Sequence, residues 1–311
     1  MPLREVIVYV PCRGNCSFYY IFQNVRQRFK HYDLTQSLMS PTYFNITDAK
    51  GFLESFSCVY QDRPMILWVD TPFLVDYGCD MKRAKIYTTS EYVKGLIKHI
   101  THVDGVLRPP YNLVADQERT AGVEKEYLFV VVGAEPKGGK VVRKRIEYTV
   151  NVLREMGLRK LTKVVSNVGD YDVHTFTLDV KELYRLLHKS YFYVSLSKSE
   201  GFGMPLMEAM SVGVPAVYVN AYSYREFAVG IPVDPYDVII EEAESWRMED
   251  YLIKDNDVRE ALKEAQECAS SKSCYEDLSA KALEKSKMFA QYDIEERVIS
   301  DLKGIMRNHK P

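Results

Sequence analysis

Residues 191–219 read YFYVSLSKSEGFGMPLMEAMSVGVPAVYV, and this stretch decides the fold. Tyr191 to Leu196 is an aromatic and β-branched run, the pattern of a strand covered on both faces. Gly201 and Gly203 let the backbone turn tightly and approach a ligand closely. Pro205 suits the first position of a helix, and Gly213 followed by Pro215 ends it. Ala216 to Val219 is a second buried strand. Glu208 falls about one turn into the helix. Helical side chains tilt toward the N-terminus, so its carboxylate aims back at the loop carrying Glu200. Two carboxylates thus converge on the positive end of a helix, where free N–H groups bind anions. Singly, each residue has a plainer role: a first-turn Glu complements the helix dipole for about 0.3–1 kcal/mol, and turn glycines are ordinary. Together, between two buried strands, they point to a ligand site.

At 311 residues the chain predicts about two domains. With 46% hydrophobic and 27% charged residues it is globular rather than disordered. A formal charge of -2 gives no global drive toward nucleic acid or an anionic membrane. No apolar run approaches a membrane span, and MPLREVIVYVP reads as a first strand rather than a signal peptide. The spacing of Cys12, Cys16, Cys58, Cys79, Cys268 and Cys274 matches no zinc or CxxC pattern. Simple thiols are the favoured reading, with a disulfide such as Cys268–Cys274 open if the source is a hyperthermophile.

Along the chain, Val6 to Val10 is an apolar strand, and Pro11 to Asn15 turns it into a helix from Ser17 to about Phe29. That helix carries Phe18, Tyr19, Tyr20, Ile21 and Phe22 before Arg26, Arg28 and Lys30. Such a helix is able to lie on a lipid surface; aromatics in the core with solvated basic residues is preferred. Asp48 to Phe56 predicts a helix and Met65 to Val69 a buried strand, ended by Asp70, which is read as a turn cap. Ile86 to Ser90 and Glu91 to Ile100 form a strand and helix with Ser90 as N-cap. Pro109-Pro110 marks a crossing into a second domain. Tyr127 to Val132 opens that domain, followed by Gly133-Ala134-Glu135-Pro136-Lys137-Gly138-Gly139-Lys140. A helix from Arg143 to about Met156 comes next. Basic residues beside glycines at a helix start suit a diphosphate, although Lys144 and Arg145 read as a solvated face. The loop narrowly misses a P-loop, because Gly139 stands where that motif needs Lys. Lys163 to Ser166 and His174 to Thr177 are short strands, and Asp179 caps a helix from Val180 to His188. Asp257 with Glu260 reads as a capping box, so Asp255-Asn256-Asp257 is not taken as a metal site. Ala280 to Met288 and Glu295 to Met306 are helices. Alternation of strands and helices in both halves predicts an α/β protein with two doubly wound domains.

Glu200-Gly201-Phe202-Gly203-Met204-Pro205, with Glu208, Ala209-Met210, Gly213 and Pro215, resembles the E-x7-E signature of retaining GT-B glycosyltransferases of the family 4 type. The resemblance implies two Rossmann-like domains facing across a cleft: an acceptor-side domain over 1–106 and a donor-binding domain over 107–289. A last helix over 290–311 packs back on the first. It implies transfer of a hexosyl-type sugar from a UDP- or GDP-linked donor to an acceptor hydroxyl, with retention. No cofactor or metal is required, the nucleoside diphosphate sugar being a substrate. Glu208 would accept hydrogen bonds from the ribose hydroxyls. Glu200, with Gly201 and the amides of Phe202, Gly203 and Met204, would hold the donor sugar beside Pro205 and Leu206. Lys137 or Lys140, with Gly14, would offset charge on the leaving diphosphate. His174-Thr175-Phe176 would lie under the nucleobase. The chain departs from the family at Ala134, where an Arg is usual, and has no His between Tyr32 and Lys98, where relatives place one near the reacting sugar. The acceptor is an unspecified glycan, lipid or protein, with a cytoplasmic location, peripheral to a membrane at most, and no nucleic-acid partner. The alternatives are a synthase- or phosphorylase-like enzyme and a non-catalytic sugar-nucleotide-binding protein. A NAD-dependent dehydrogenase is disfavoured, since no GxGxxG follows the first strand.

Overall fold

Apolar strands alternating with amphipathic helices build two parallel sheets, one in each of two units. The computed structural model describes residues 5–9, 17–37, 44–47, 65–70, 73–74, 84–98, 102–120, 122–135, 142–243 and 246–308. One unit comprises Met1–Pro110, Glu241–Met248 and Phe289–Pro311; the other comprises Tyr111–Ile240 and Glu249–Met288.

In the first unit the elements are β1 (Glu5–Tyr9), α1 (Ser17–Arg26), β2 (Asp33–Ser37), β3 (Phe44–Thr47), β4 (Met65–Val69), β5 (Phe73–Leu74), β6 (Ala84–Thr88), α2 (Glu91–Ile97) and β7 (Gly105–Val106). The sheet runs β2-β1-β3-β4-β6-β7, and every neighbouring pair is parallel. Ile66, Trp68, Val69 and Ile86 are buried in it, as strands covered by helices require. From α1, Ile21, Phe22 and Val25 join this core. The helix stops at Arg26 rather than Phe29, and Arg28 is not solvated as the sequence suggested. It is 2% exposed, and its Nε donates to the Ala290 carbonyl at 2.8 Å. Ser90 caps α2 as expected, accepting from the Val93 amide at 3.1 Å. Asp70 accepts from Thr89 Oγ1 at 2.8 Å. The helix expected over Asp48–Phe56 lies outside the described residues.

The second unit contains α3 (Val114–Thr120), β8 (Tyr127–Gly133), α4 (Ile146–Glu155), β9 (Thr162–Ser166), β10 (Val173–His174), α5 (Val180–His188), β11 (Ser190–Ser195), α6 (Met204–Ser211), β12 (Ala216–Val219), α7 (Tyr224–Phe227) and β13 (Gly230–Val233). Its parallel sheet is ordered β10-β9-β8-β11-β12-β13. Counted from β8 this is the doubly wound order 3-2-1-4-5-6, which reverses between β8 and β11; in such sheets ligands bind beyond the carboxyl ends of the strands at the reversal. All four residues of β12 are buried. Gly230 (φ +145°) makes its pairing with β13: a Cβ there would sit 1.9 Å from the Ala216 carbonyl oxygen. Asp179 caps α5 in a full capping box, taking the Glu182 amide at 2.7 Å while the Glu182 carboxylate takes the Asp179 amide at 3.0 Å.

The remaining elements are β14 (Asp237–Ala243), β15 (Trp246–Leu252), α8 (Asp255–Ser270), α9 (Lys272–Ser286) and α10 (Ile294–Asn308). The two strands were not foreseen; β15 pairs antiparallel with β5, Met248 opposite Phe73. The capping box expected at Asp257 and Glu260 is absent as a start signal. The helix begins at Asp255, whose carboxylate accepts from the Tyr148 hydroxyl at 2.7 Å. Cys268 and Cys274 are joined in a disulfide linking α8 to α9. In the first unit α10 lies against β4 and β6. Its Asp301 accepts from Lys85 Nζ at 2.5 Å and from the Tyr87 hydroxyl at 2.7 Å, and Glu295 takes the amides of Lys30 and His31 at 2.6 and 2.8 Å.

Candidate donor site at the end of β11

The turn from β11 into α6 is built on Gly203. Its φ of +95° is left-handed, and a Cβ at this position would meet the Tyr224 ring at 2.3 Å. Met204 is the first helical residue and Pro205 the second, one place later than the sequence suggested. Ser223 Oγ bridges the carbonyls of Glu200 and Phe202 at 3.0 and 2.9 Å, and the Phe202 ring packs on Phe227 in the core, centroids 5.2 Å apart. Phe202 and Leu206 are buried, so only their backbone is able to reach a ligand. The amides of Gly203 and Met204 donate to no protein group among the described residues. They form an unsatisfied helix N-terminus of the kind that binds anions and polar oxygens.

Glu200 is 3% exposed and ringed by donors. Arg143 Nη1 lies 2.5 Å from Oε2, Lys144 Nζ pairs with Oε1, and Ser197 Oγ donates to Oε1 at 2.9 Å. Burial pushes the Glu200 carboxyl up. The Arg143 and Lys144 cations more than offset this and hold it well below the usual carboxylate range. Buried hydroxyls back this arrangement: Ser197 Oγ is 3.2 Å from Ser195 Oγ, itself 2.9 Å from the Tyr224 hydroxyl, while Tyr222 donates to the Ser197 carbonyl at 3.0 Å.

The basic segment before α4 therefore departs from the sequence reading. Lys144 is not a solvated face but an ion-pair partner with 14% side-chain exposure. Arg145 also turns inward: its Nη2 is 2.5 Å from Asp250 and donates to the Tyr251 carbonyl at 3.0 Å. Arg145 adopts φ 51°, so the helix starts at Ile146 rather than Arg143. Lys198 completes the bracing, its amide on the Arg143 carbonyl at 2.8 Å and its Nζ 2.9 Å from Asp250. These partners lie far apart in sequence, and no local signal marks them. Glu135 was also missed, although an acidic residue among so many basic ones at a strand end could have drawn attention.

Glu208 stands in the opposite state. It is 7% exposed, and among the described residues its carboxylate has no hydrogen-bond or ion-pair partner. Burial alone pushes its carboxyl up to about 8. Near the ends of β9 and β10, Thr175 donates its amide to the Ser166 carbonyl at 3.0 Å, and Phe176 (φ 62°) presents a ring on a 40% exposed residue. Gly14, Lys137 and Lys140 lie outside the described residues.

An α/β fold with parallel sheets of the GT-B type, with a polar site at the sheet's reversal, defines the class. The family described as Glycosyl transferases group 1 matches residues 113–266. "Putative glycosyltransferase 48" of Sulfolobus islandicus filamentous virus (isolate Iceland/Hveragerdi) is 61% identical over 308 residues, covering 99% of this chain and 99% of the relative. "Putative glycosyltransferase 41" of the same virus is 30% identical over 293 residues, 92% of this chain and 83% of the relative. A solved glycosyltransferase from Rickettsia africae shares the fold with a TM-score of 0.58 at 9% identity, covering 99% of this chain and 100% of that one. The chain belongs to the group 1 glycosyltransferases.

Proposed function

We propose that the chain moves a hexosyl-type sugar from a UDP- or GDP-linked donor to a hydroxyl of a glycan, lipid or protein acceptor, with retention and without a bound metal. The observation that carries this reading is Glu208, a buried carboxylate of α6 with no hydrogen-bond or ion-pair partner among the described residues. Such a group is costly to keep unless a ligand donates to it. The paired hydroxyls of a ribose are suited to that. Glu200, pinned by Arg143, Lys144 and Ser197, presents the donor sugar with a fixed acceptor of hydrogen bonds, and the amides of Gly203 and Met204 add donors. Arg143 and Lys144, with Lys137 or Lys140 and Gly14, offset the charge growing on the leaving diphosphate. Both oxygens of Glu200 are engaged by donors, which fits a role in electrostatics and positioning better than covalent attack and supports front-face retention.

Calorimetric titration with UDP and with GDP tests the reading. Glu208→Ala should weaken the preferred nucleotide by about 1–3 kcal/mol, the loss of hydrogen bonds to a charged group. Unchanged affinity would remove the ribose assignment.

A further inference from the structure

The backbone that carries the two cations on Glu200 is itself bound by a second buried carboxylate. Glu135, two residues beyond the end of β8, is 7% exposed. One of its oxygens accepts the Arg143 amide at 3.0 Å and the other the Lys144 amide at 2.6 Å. Its own backbone is held on both sides by Asn167, just past β9: the Glu135 amide donates to Asn167 Oδ1 at 2.9 Å, and Asn167 Nδ2 donates to the Glu135 carbonyl at 2.8 Å. The two strands thus hold Asn167, Asn167 holds Glu135, and Glu135 holds the backbone from which Arg143 and Lys144 reach Glu200. Among the described residues this buried carboxylate accepts from two amides and makes no ion pair of its own. It fixes direction: rotating either peptide would swing a guanidinium or ammonium away.

We propose that Glu135 is the positioning residue for the cation pair of the donor site, with Asn167 as its support, and that it sets affinity for the diphosphate part of the donor rather than the nucleoside part. The proposal rests on the donor-site reading given above. Glu135→Gln keeps the shape but turns one acceptor into an N–H donor facing an amide, so one of the two peptides loses its anchor.

The test is calorimetry on the full chain with four probes: UDP, GDP, uridine and guanosine. Glu135→Gln should weaken the preferred diphosphate about tenfold and leave its nucleoside within twofold, with the loss in the reaction falling on donor KM as well as kcat. Equal losses for nucleoside and diphosphate would reduce Glu135 to a structural role and overturn the proposal, as would an unchanged diphosphate affinity. Should Glu135→Gln fold poorly, Asn167→Ser carries the same test, because it frees the Glu135 backbone while leaving the carboxylate in place. A wild-type chain that binds none of the four probes overturns the donor-site reading, and the positioning role falls with it. Wild-type binding of a diphosphate that Glu135→Gln matches overturns the positioning role alone.

Discussion

Glu200 in the loop before α6 and Glu208 inside that helix sit in opposite electrostatic states: the first is ionised between Arg143 and Lys144, the second is buried with no partner among the described residues. Stability should respond to them with opposite signs.

Removing the Glu200 carboxylate leaves two cations facing one another in a poorly solvated place. Glu200→Ala should destabilise the fold by on the order of 3 kcal/mol, read as a shift of the denaturant midpoint. Glu208→Gln should do the reverse. The Glu208 carboxyl is raised from 4.5 to about 8, so between those values the native state keeps a proton that the unfolded chain releases. Native stability therefore falls as pH rises across that window. A glutamine does not titrate, and the variant should gain melting temperature over wild type, more at pH 8 than at pH 5. A gain that is equal at both pH values would contradict this.

Nucleotide affinity should carry the same titration. In the proposed donor site ribose hydroxyls donate to the ionised carboxylate, so below pH 8 binding should expel a proton. Affinity for the preferred nucleoside diphosphate is expected to rise toward pH 8, by up to about tenfold per unit, and then level off. Calorimetry in buffers of different ionisation enthalpy would register the released proton. In Glu208→Gln this proton release should vanish.

The left-handed turn at Gly203 has no room for a side chain. Gly203→Ala must relieve both the φ of +95° and the approach to the Tyr224 ring at 2.3 Å. We expect at least about 2 kcal/mol of destabilisation, together with weakened nucleotide binding, because the unsatisfied amides of Gly203 and Met204 move with the turn. Chemical denaturation and calorimetry on one sample would check both.

The Cys268–Cys274 bridge spans a sequence separation of 6 and joins the ends of two helices. Cys268→Ser should lower stability by about 2 kcal/mol, the loop-entropy figure for so short a closure. Melting curves with and without reductant should show the same gap in wild type and none in the variant.

What the sequence discloses about this molecule is governed by distance along the chain. β11, the glycine turn, α6 and β12 are legible because buried strands in parallel sheets are continuous apolar runs and the breakers between them are glycine and proline. The same logic finds β8, and the cap at Asp179 is written within four residues. By contrast β2 (DLTQS) is too polar and β14 (DVIIEEA) too charged at its end to read as strands; pairing to a neighbour decides them. The basic run at 143–145 is the clearest case. Lys and Arg before a helix look alike whether they face water or a carboxylate, and Glu200 lies 57 residues from Arg143. The two carboxylates around this turn are therefore visible in the sequence, and the cations that pair with one of them are not.

The discontinuous make-up of the first unit has a consequence for synthesis. Strands β4 and β6 emerge early, yet α10, whose Asp301 binds Lys85 and Tyr87 and whose Glu295 binds the amides after α1, is translated only after the whole second unit. At about 5–20 residues per second, the sheet waits on the order of ten to forty seconds for its covering helix, while the second unit assembles in full behind it. Of the two units, the one whose strands are translated first is thus the one completed last.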